Sequence, residues 1–249
     1  MRILKQHVKT DRMLGVDSVP MGVGVPGQVG VAADPVSTGV QAAAAASAAV
    51  SLPVMKRPEK IAALNAMDEQ EVRNCKKCVL CEGRIQTVFG EGDPDAPIMF
   101  VGEGPGQNED EQGRPFVGRS GDLLEKQIQA MGFERSQIYI ANVVKCRPPN
   151  NRTPLADEVH ACSDYLRRQI EIIRPKVIVT LGGPAAKLVL NVKEGITRIR
   201  GQWHEYPGVN PAVPVMPTFH PAFLLRQYTK ENRAKVWSDL KAALTKLDR

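Results

Sequence analysis

Four cysteines stand at a spacing that could bind a metal. Cys75 and Cys78 form a C-x2-C pair, and Cys146 and Cys162 follow much later in the chain. Four thiolates from two separated segments can hold either a structural zinc ion or a [4Fe–4S] cluster. The spacing does not distinguish these two metals, and Cys81 could take the place of Cys78. Alternatively Cys162 is a buried helix residue without a metal, because free cysteine packs well in protein cores.

A glycine-rich segment at residues 102–110 could approach a ligand with its backbone. Its acidic side chains, Glu103, Glu109 and Asp110, would repel a phosphate, so the segment favours a neutral or cationic ligand. It lacks the lysine of a phosphate-binding P-loop. The alternative is an ordinary turn whose carboxylates are solvated.

Two more polar residues are predicted to end apolar strands. The carboxamide of Asn142 presents a donor and an acceptor side by side, which suits the imide edge of a pyrimidine, although a satisfied buried asparagine is the alternative. His220 is followed by Leu224, Leu225 and Arg226. Apolar side chains can enter a base stack and arginine can hold a phosphate. Alternatively this segment starts a helix that places both leucines in the core.

The elements that must position these residues alternate between strand and helix. Because this alternation is typical of a parallel sheet covered on both faces, we predict a three-layer α/β/α fold with a central, mostly parallel, four-stranded sheet. Ligands of such sheets bind beyond the carboxyl ends of the strands, so Glu103, Asn142 and His220 are expected to line one cleft. The strands are predicted at residues 97–102, 138–144, 176–182 and 213–219, and the helices at 120–132, 154–173, 183–190 and 229–247.

Residues 1–66 differ in composition from the rest of the chain. They mix Val, Gly and Pro without periodicity and include an alanine-rich run at 42–49. Such a segment buries too little apolar surface to offset its ordering entropy. We therefore predict a disordered N-terminal tail at 1–66 and a globular domain at 67–249. Translation starting at Met55 or Met67, or a transit peptide, would also explain this composition.

The overall composition is that of a globular domain with a modest basic excess. Hydrophobic residues make up 43% of the 249 residues, enough for a core, and the formal net charge of +6 fits a polyanionic partner. No apolar run is long enough to span a bilayer, and no secretory signal pattern is visible. We expect a cytoplasmic, nucleoid-associated protein in which the cysteines form no disulfides.

Taken together, the motifs resemble those of the family 4 uracil-DNA glycosylases, which carry an iron–sulfur cluster. The resemblance covers about residues 71–248 and rests on GEGPG, GRPFVGRSG, NVVKCRPP, HPAFLLR and the four cysteines in order. It implies a monomeric enzyme, without membrane association, that hydrolyses the N-glycosidic bond of deoxyuridine in DNA and leaves an abasic site. Three other functions stay open: a non-catalytic iron–sulfur DNA-binding module, a glycosylase for a different damaged base, and a zinc-stabilised regulatory domain.

The resemblance also implies a role for individual residues. Phe116 would stack on the uracil, Asn142 would read its edge, and His220 would lie beside the carbonyl that gains charge. Glu103 and Glu109 are the two candidates for activating water. The [4Fe–4S] cluster would be structural and held by Cys75, Cys78, Cys146 and Cys162. The remaining assignments are Gly102, Glu103, Gly104 and Asn108 in the uracil pocket, Asn151 as its polar support, and Leu224, Leu225 and Arg226 as DNA contacts.

Overall fold

The computed structural model describes residues 55–206 and 208–247, and within them six strands form one sheet. The strands lie in the order β1-β3-β2-β4-β6-β5 across this sheet. They are β1 Glu91–Gly92, β2 Ile98–Gly102, β3 Tyr139–Asn142, β4 Val177–Leu181, β5 His204–Tyr206 and β6 Val213–Thr218.

The four central strands are the four that the sequence predicts, and they run parallel to one another. Every residue of β2, β3 and β4 is buried. Since successive side chains of a strand point to opposite faces, both faces of the sheet centre are covered, as expected for a three-layer fold. The predicted count of four strands is wrong: β1 and β5 add short antiparallel edges, which are only two and three residues long and partly exposed.

Helices connect the strands, and none of those in the described residues is long and apolar enough to cross a membrane. The long predicted helices are present, with ends shifted by no more than two residues. The α-helices are α1 Arg57–Met67, α2 Leu80–Gly83, α3 Gln107–Gln112, α4 Arg119–Ala130, α5 Ala156–Ile173, α6 Gly183–Leu190, α7 Ile196–Ile199, α8 Pro221–Arg226 and α9 Lys230–Leu247, and short 3-10 or π-helical turns lie at Asp68–Val72, Arg135–Gln137 and Pro149–Asn151.

Helix α1 extends the folded region beyond its predicted start. Leu64 and Met67 belong to the hydrophobic core. The buried Lys60 ammonium donates hydrogen bonds to the carbonyl oxygens of Pro94, at 3.3 Å, and of Ile173, at 3.0 Å. The predicted boundary between residues 66 and 67 is therefore wrong, because α1 packs against the domain and belongs to it. The rest of the predicted tail, residues 1–54, lies outside the described residues.

Candidate active site

A cavity of about 660 Å³ opens where β2, β3 and β6 reach their carboxyl ends. Its wall includes Glu103 directly after β2, Asn142 at the end of β3, and His220 shortly after β6. The parallel register brings these ends together, since Gly102 of β2 lies opposite Asn142 of β3. The structure thus gathers at one cleft the three polar residues that the sheet topology groups together. The cavity is also lined by Gly104, Asn108, Glu109, Phe116, Asn151 and Arg226.

Phe116 supplies the aromatic face of this cavity from a tightly held loop. Its backbone adopts a φ of 52°, in the left-handed region that non-glycine residues rarely occupy. Its ring centroid lies 5.6 Å from that of His220, with 30° between the ring planes. Helix α4 comes so close behind this loop that a Cβ on Gly121 would lie 2.0 Å from the Phe116 carbonyl oxygen. This unusual conformation is therefore fixed by its surroundings.

Glu109 holds the same loop from the other side. Its Oε1 accepts hydrogen bonds from the backbone N–H groups of Val117 and Gly118, both at 2.9 Å. Its Oε2 accepts another from Gly106, at 3.1 Å. A carboxylate with three backbone donors is a well-anchored acceptor and leaves little of its lone-pair capacity for a water molecule. This geometry favours a role for Glu109 in holding Phe116 in place rather than the predicted role in activating water.

The Asn142 side chain is buried in the cavity wall. Only 1% of the residue is exposed, and no described residue donates a hydrogen bond to its Oδ1. Buried amide oxygens are normally satisfied, so an unpaired one at a cavity points to a ligand donor. Gly102 makes this position possible: a Cβ there would lie 2.4 Å from Asn142 Oδ1 and 2.6 Å from the Phe116 ring. Gly102 thus leaves room for both side chains.

His220 is held as a neutral imidazole with a defined tautomer. Its Nδ1 accepts a hydrogen bond from the backbone N–H of Ala222, at 3.0 Å, at the start of α8. The proton of a neutral ring therefore resides on Nε2, which is left as a donor. The pKa of His220 is lowered to about 4, chiefly by burial and also by the positive charge of Arg226, while Glu109 opposes the shift. The Gly182 backbone lies close to His220: a Cβ on Gly182 would be 3.1 Å from His220 Cβ.

Glu103 is the other predicted acid in the cavity, and its environment differs from that of Glu109. Burial raises the pKa of its carboxyl above the ordinary value, and a hydrogen bond with Thr153 partly offsets this rise. The backbone of Gly104, the next residue, lies close to Val144: a Cβ on Gly104 would be 2.8 Å from Val144 Cγ2. The Glu103 carboxyl therefore has a raised affinity for a proton at the cavity wall.

The two predicted asparagines at the rim are exposed. Asn108 lies in the first turn of α3. Its side chain packs against Gly118, since a Cβ on Gly118 would lie 2.8 Å from Asn108 Nδ2. Asn151 has a left-handed φ of 55°, and its Oδ1 accepts a hydrogen bond from Arg147 Nε at 2.7 Å. Asn151, the predicted polar support of the pocket, thus binds the Arg147 side chain, whereas Glu109 binds backbone N–H groups.

The segment after His220 divides its two leucines between core and surface. Leu224 is 1% exposed, whereas Leu225 is 36% exposed. The prediction that Leu224 contacts DNA is therefore wrong, because α8 turns this side chain into the protein. Leu225 is available at the surface, and the exposed Arg226 lines the cavity. Of the three predicted DNA contacts, Leu225 and Arg226 are therefore exposed at the surface, where DNA could reach them.

A second, smaller cavity brings the cysteines together. It is lined by Cys75, Cys78 and Cys81 from one segment, by Cys146 after β3, and by Cys162 of α5. All five are free thiols. Among the described residues, no three His, Cys, Asp or Glu side chains lie close enough to hold a single metal ion. The thiols therefore surround a common space without forming a compact single-ion site.

The surroundings of these thiols decide their protonation and their hydrogen bonds. Burial raises the pKa of Cys146 to about 11 and also raises the pKa of Cys162. Without a bound cation these thiols stay protonated at neutral pH. Binding of a metal centre would favour their deprotonation to thiolates. Arg84 Nη1 donates to Cys146 Sγ at 3.1 Å, and the Lys145 backbone N–H donates to Cys162 Sγ at 3.3 Å. Such donors suit sulfur atoms that bind an iron–sulfur cluster.

The chain is similar in sequence to several known proteins. Residues 89–241 match the family model of the Uracil DNA glycosylase superfamily. A type-4 uracil-DNA glycosylase of Sulfurisphaera tokodaii is 51% identical over 63% of this chain and 74% of its own length. Those of Thermotoga maritima and Saccharolobus solfataricus are 47% and 45% identical, over 70% and 72% of this chain and 90% and 87% of their own lengths.

The chain belongs to the type-4 uracil-DNA glycosylases.

Two residues of this glycosylase lie at the site although sequence reasoning did not single them out. Arg119 and Ser120, at the start of α4, line the large cavity. Asp110 is buried and accepts a hydrogen bond from the Ile85 backbone N–H at 3.0 Å, which ties α3 to the segment after the cysteines. The GRSG letters of the motif around Phe116 could have indicated Arg119 and Ser120. The sequence does single out Asp110 as an acid of the glycine-rich segment, but no local pattern indicates its bond to Ile85, because that partner lies 25 residues away.

Proposed function

We propose that this chain hydrolyses the N-glycosidic bond of deoxyuridine in DNA, releasing uracil and leaving an abasic site. One observation carries the proposal: the Phe116 ring, the unpaired Asn142 Oδ1 and the neutral His220 imidazole lie at the same cavity. An aromatic face, an edge-reading amide and a single N–H donor are the groups needed to bind one flat, polar ring.

Binding would begin with removal of the nucleotide from the base stack, since its glycosidic bond is inaccessible inside a duplex. The uracil ring would then stack on Phe116, an interaction worth about 1–3 kcal/mol per base. Asn142 Oδ1 would accept the N3–H of uracil, and its amide nitrogen would donate to O4. Cytosine has an acceptor at N3 and an amine at C4, so both contacts would be lost in a buried site.

Bond breaking would leave negative charge on the uracil ring and positive charge on the sugar. The Nε2–H of His220 would donate to the uracil O2 as this charge develops. Because Nδ1 is already bound to Ala222, the donor needs no reorganisation during the reaction. A preorganised donor of this kind is worth about 2.7–4 kcal/mol.

We assign the attacking water to Glu103 rather than to Glu109. The pKa of Glu103 is raised by burial, so its carboxylate has an increased affinity for the proton of the water that attacks the sugar carbon. Glu109 already accepts three backbone hydrogen bonds and would serve to hold the Phe116 loop.

We further propose that Cys75, Cys78, Cys146 and Cys162 hold a [4Fe–4S] cluster. Their thiols surround one cavity, and Arg84 and the Lys145 backbone N–H donate to two of the sulfur atoms. The membership of the chain in the type-4 family favours the cluster over a lone zinc ion. When bound, the cluster would supply a cross-link between segments rather than chemistry at the base. Cys81 lines the same cavity and is a neighbour of the ligands.

DNA would be held at the rim of the large cavity. Arg119 and Arg226 lie there and would bind phosphates, and the net charge of +6 favours approach to a polyanion. Leu225 would fill the space that the base leaves. We propose that the protein acts as a monomer on uracil-containing DNA at the nucleoid of the cytoplasm.

The test is a base-release assay with the anaerobically purified full chain. Matched oligonucleotides carrying uracil, cytosine, thymine or hypoxanthine are incubated with it, and the free base and the alkali-labile site are measured. Release of uracil alone is expected. Binding without any release would instead indicate the non-catalytic DNA-binding module, and release of another base would indicate a different damage preference.

A further inference from the structure

Lys145 is a fully buried lysine that the proposed chemistry does not use. Only 1% of the residue is exposed. Its Nζ donates a hydrogen bond to the backbone carbonyl oxygen of Asn142 at 2.9 Å and another to Gln169 Oε1 at 2.6 Å. The side chain therefore reaches back to the residue that lines the large cavity, at the point where β3 ends.

Gln169 connects this lysine to the cysteine side of the domain. It lies on α5 seven residues after Cys162, about two helical turns along the same face. Its Nε2 donates to the Phe89 carbonyl oxygen at 2.9 Å. The backbone N–H of Lys145 also donates to Cys162 Sγ at 3.3 Å. Lys145 thus joins the strand end that carries Asn142 to the helix that carries Cys162.

Stability alone does not account for a lysine at this position. Burying an ammonium group is costly, and replacing buried charged groups with apolar ones of similar volume is often neutral or stabilising. The contact with the Asn142 carbonyl fixes the peptide plane beside the side chain that faces the cavity. The Asn142 side chain lies directly against the Gly102 backbone, since a Cβ on Gly102 would lie 2.4 Å from Oδ1. A small rotation of the Asn142 backbone would therefore displace its amide from the ligand.

We propose that Lys145 is a positioning residue that sets the orientation of the Asn142 carboxamide through its main chain. The proposal rests on the proposed function, in which Asn142 reads the edge of uracil. Lys145 itself touches no substrate atom. Its effect on uracil release should therefore pass entirely through Asn142.

The experiment is a double-mutant cycle on the cluster-containing full chain, with uracil release from a single-stranded oligonucleotide as the readout. Lys145→Met should lower kcat/KM by about 10- to 100-fold, because a displacement of about 1 Å at an active site can cost about 100-fold. In the Asn142→Ala background the same change should cost less than about twofold, because non-additivity marks residues that act through one another. Iron content measures whether each variant keeps its fold.

The matched control is Lys60→Met, which removes another buried lysine. Lys60 binds the carbonyl oxygens of Pro94 and Ile173 and the Asp95 carboxylate, none of which lines the large cavity. It should change kcat/KM by less than about twofold at a comparable loss of stability. Gln169→Leu replaces Lys145→Met if the latter does not fold, and it should show the same non-additivity with Asn142→Ala.

Three results would overturn the proposal. Wild-type kcat/KM in Lys145→Met, with Asn142→Ala impaired, would remove the positioning role and leave the proposed function intact. An equal loss from Lys145→Met in both backgrounds would show a general structural effect. If Asn142→Ala itself released uracil at the wild-type rate, the edge-reading role and the positioning role would both fall.

Discussion

The ring of Phe116 lies 5.6 Å from the imidazole of His220, and the two planes are inclined by 30°. These residues come from loops after different strands, and each is held from behind by a glycine. Gly121 admits the Phe116 backbone, and Gly182 admits His220. The pocket is thus defined as much by positions that lack a side chain as by the groups that face it.

Substitution of Gly102 tests this dependence on missing side chains. Gly102→Ala would place a methyl group 2.4 Å from Asn142 Oδ1 and 2.6 Å from the Phe116 ring, so both must move. We expect the rate of uracil release to fall about 100-fold, because a displacement of about 1 Å at an active site can lower the rate by this factor. Gly195→Ala is the control, since the nearest atom to its Cβ would be 4.0 Å away. Equal activity of both variants would contradict the crowding described here.

The depressed pKa of His220 predicts a pH dependence of stability. The pKa rises from about 4 in the folded state to 6.5 in the unfolded state, so the unfolded chain binds more protons between these values. The free energy of unfolding should therefore decrease as the pH falls from about 6.5 to about 4, by at most about 3 kcal/mol. Urea unfolding at a series of pH values measures this. His220→Asn should remove this contribution, whereas substitution of the exposed His160 by Asn should not; a slope that survives in His220→Asn would contradict the assignment.

The two leucines of α8 should respond differently to truncation. Leu224→Ala removes a core side chain and should lower the free energy of unfolding by about 2–5 kcal/mol. Leu225→Ala should leave stability nearly unchanged but lower uracil release from duplex DNA more than from single-stranded DNA, because only the duplex has a stack to fill. Ile61→Ala removes another exposed apolar side chain, 41% exposed on α1, and should affect neither substrate. Equal losses on both substrates for Leu225→Ala would argue against a wedge.

Removal of single cysteines tests the cluster assignment. Cys162→Ser should lose iron and acid-labile sulfide and melt at a lower temperature, because a buried ligand is removed. Cys81→Ser should retain both, since Cys81 is proposed as a neighbour rather than a ligand. Elemental analysis and thermal melting of the two variants provide the measurement. Stoichiometric zinc in place of iron in the wild type would contradict a [4Fe–4S] centre.

The central strands and the long helices could be predicted because their signal is local. Strands such as Val177–Leu181 are buried along their whole length and therefore appear as apolar runs. The edge strands are too short and too exposed to give such a run. Most of helix α1 falls in the predicted tail, because it follows a low-complexity stretch. Its packing leaves no local signal, since the partners of the buried Lys60 lie more than 30 residues away.

The candidate site likewise has residues that the sequence pattern predicts and contacts that it does not. Topology alone places Asn142 and His220 at one edge of the sheet, whereas Phe116 was assigned only through the family resemblance. The hydrogen bonds of Glu109 to Val117 and Gly118, and the core position of Leu224, depend on how loops and helices pack. Such contacts are set by tertiary structure and leave no periodic pattern in the sequence.

The most direct test of the central claim is the rate of uracil release by His220→Ala and Asn142→Ala, measured on one uracil-containing oligonucleotide beside the wild type. If the two side chains act on the same extruded ring, each variant should lose about 100- to 1,000-fold, the usual cost of removing a preorganised hydrogen-bond partner. Circular dichroism and iron content should match those of the wild type. Undiminished release by both variants would contradict the account.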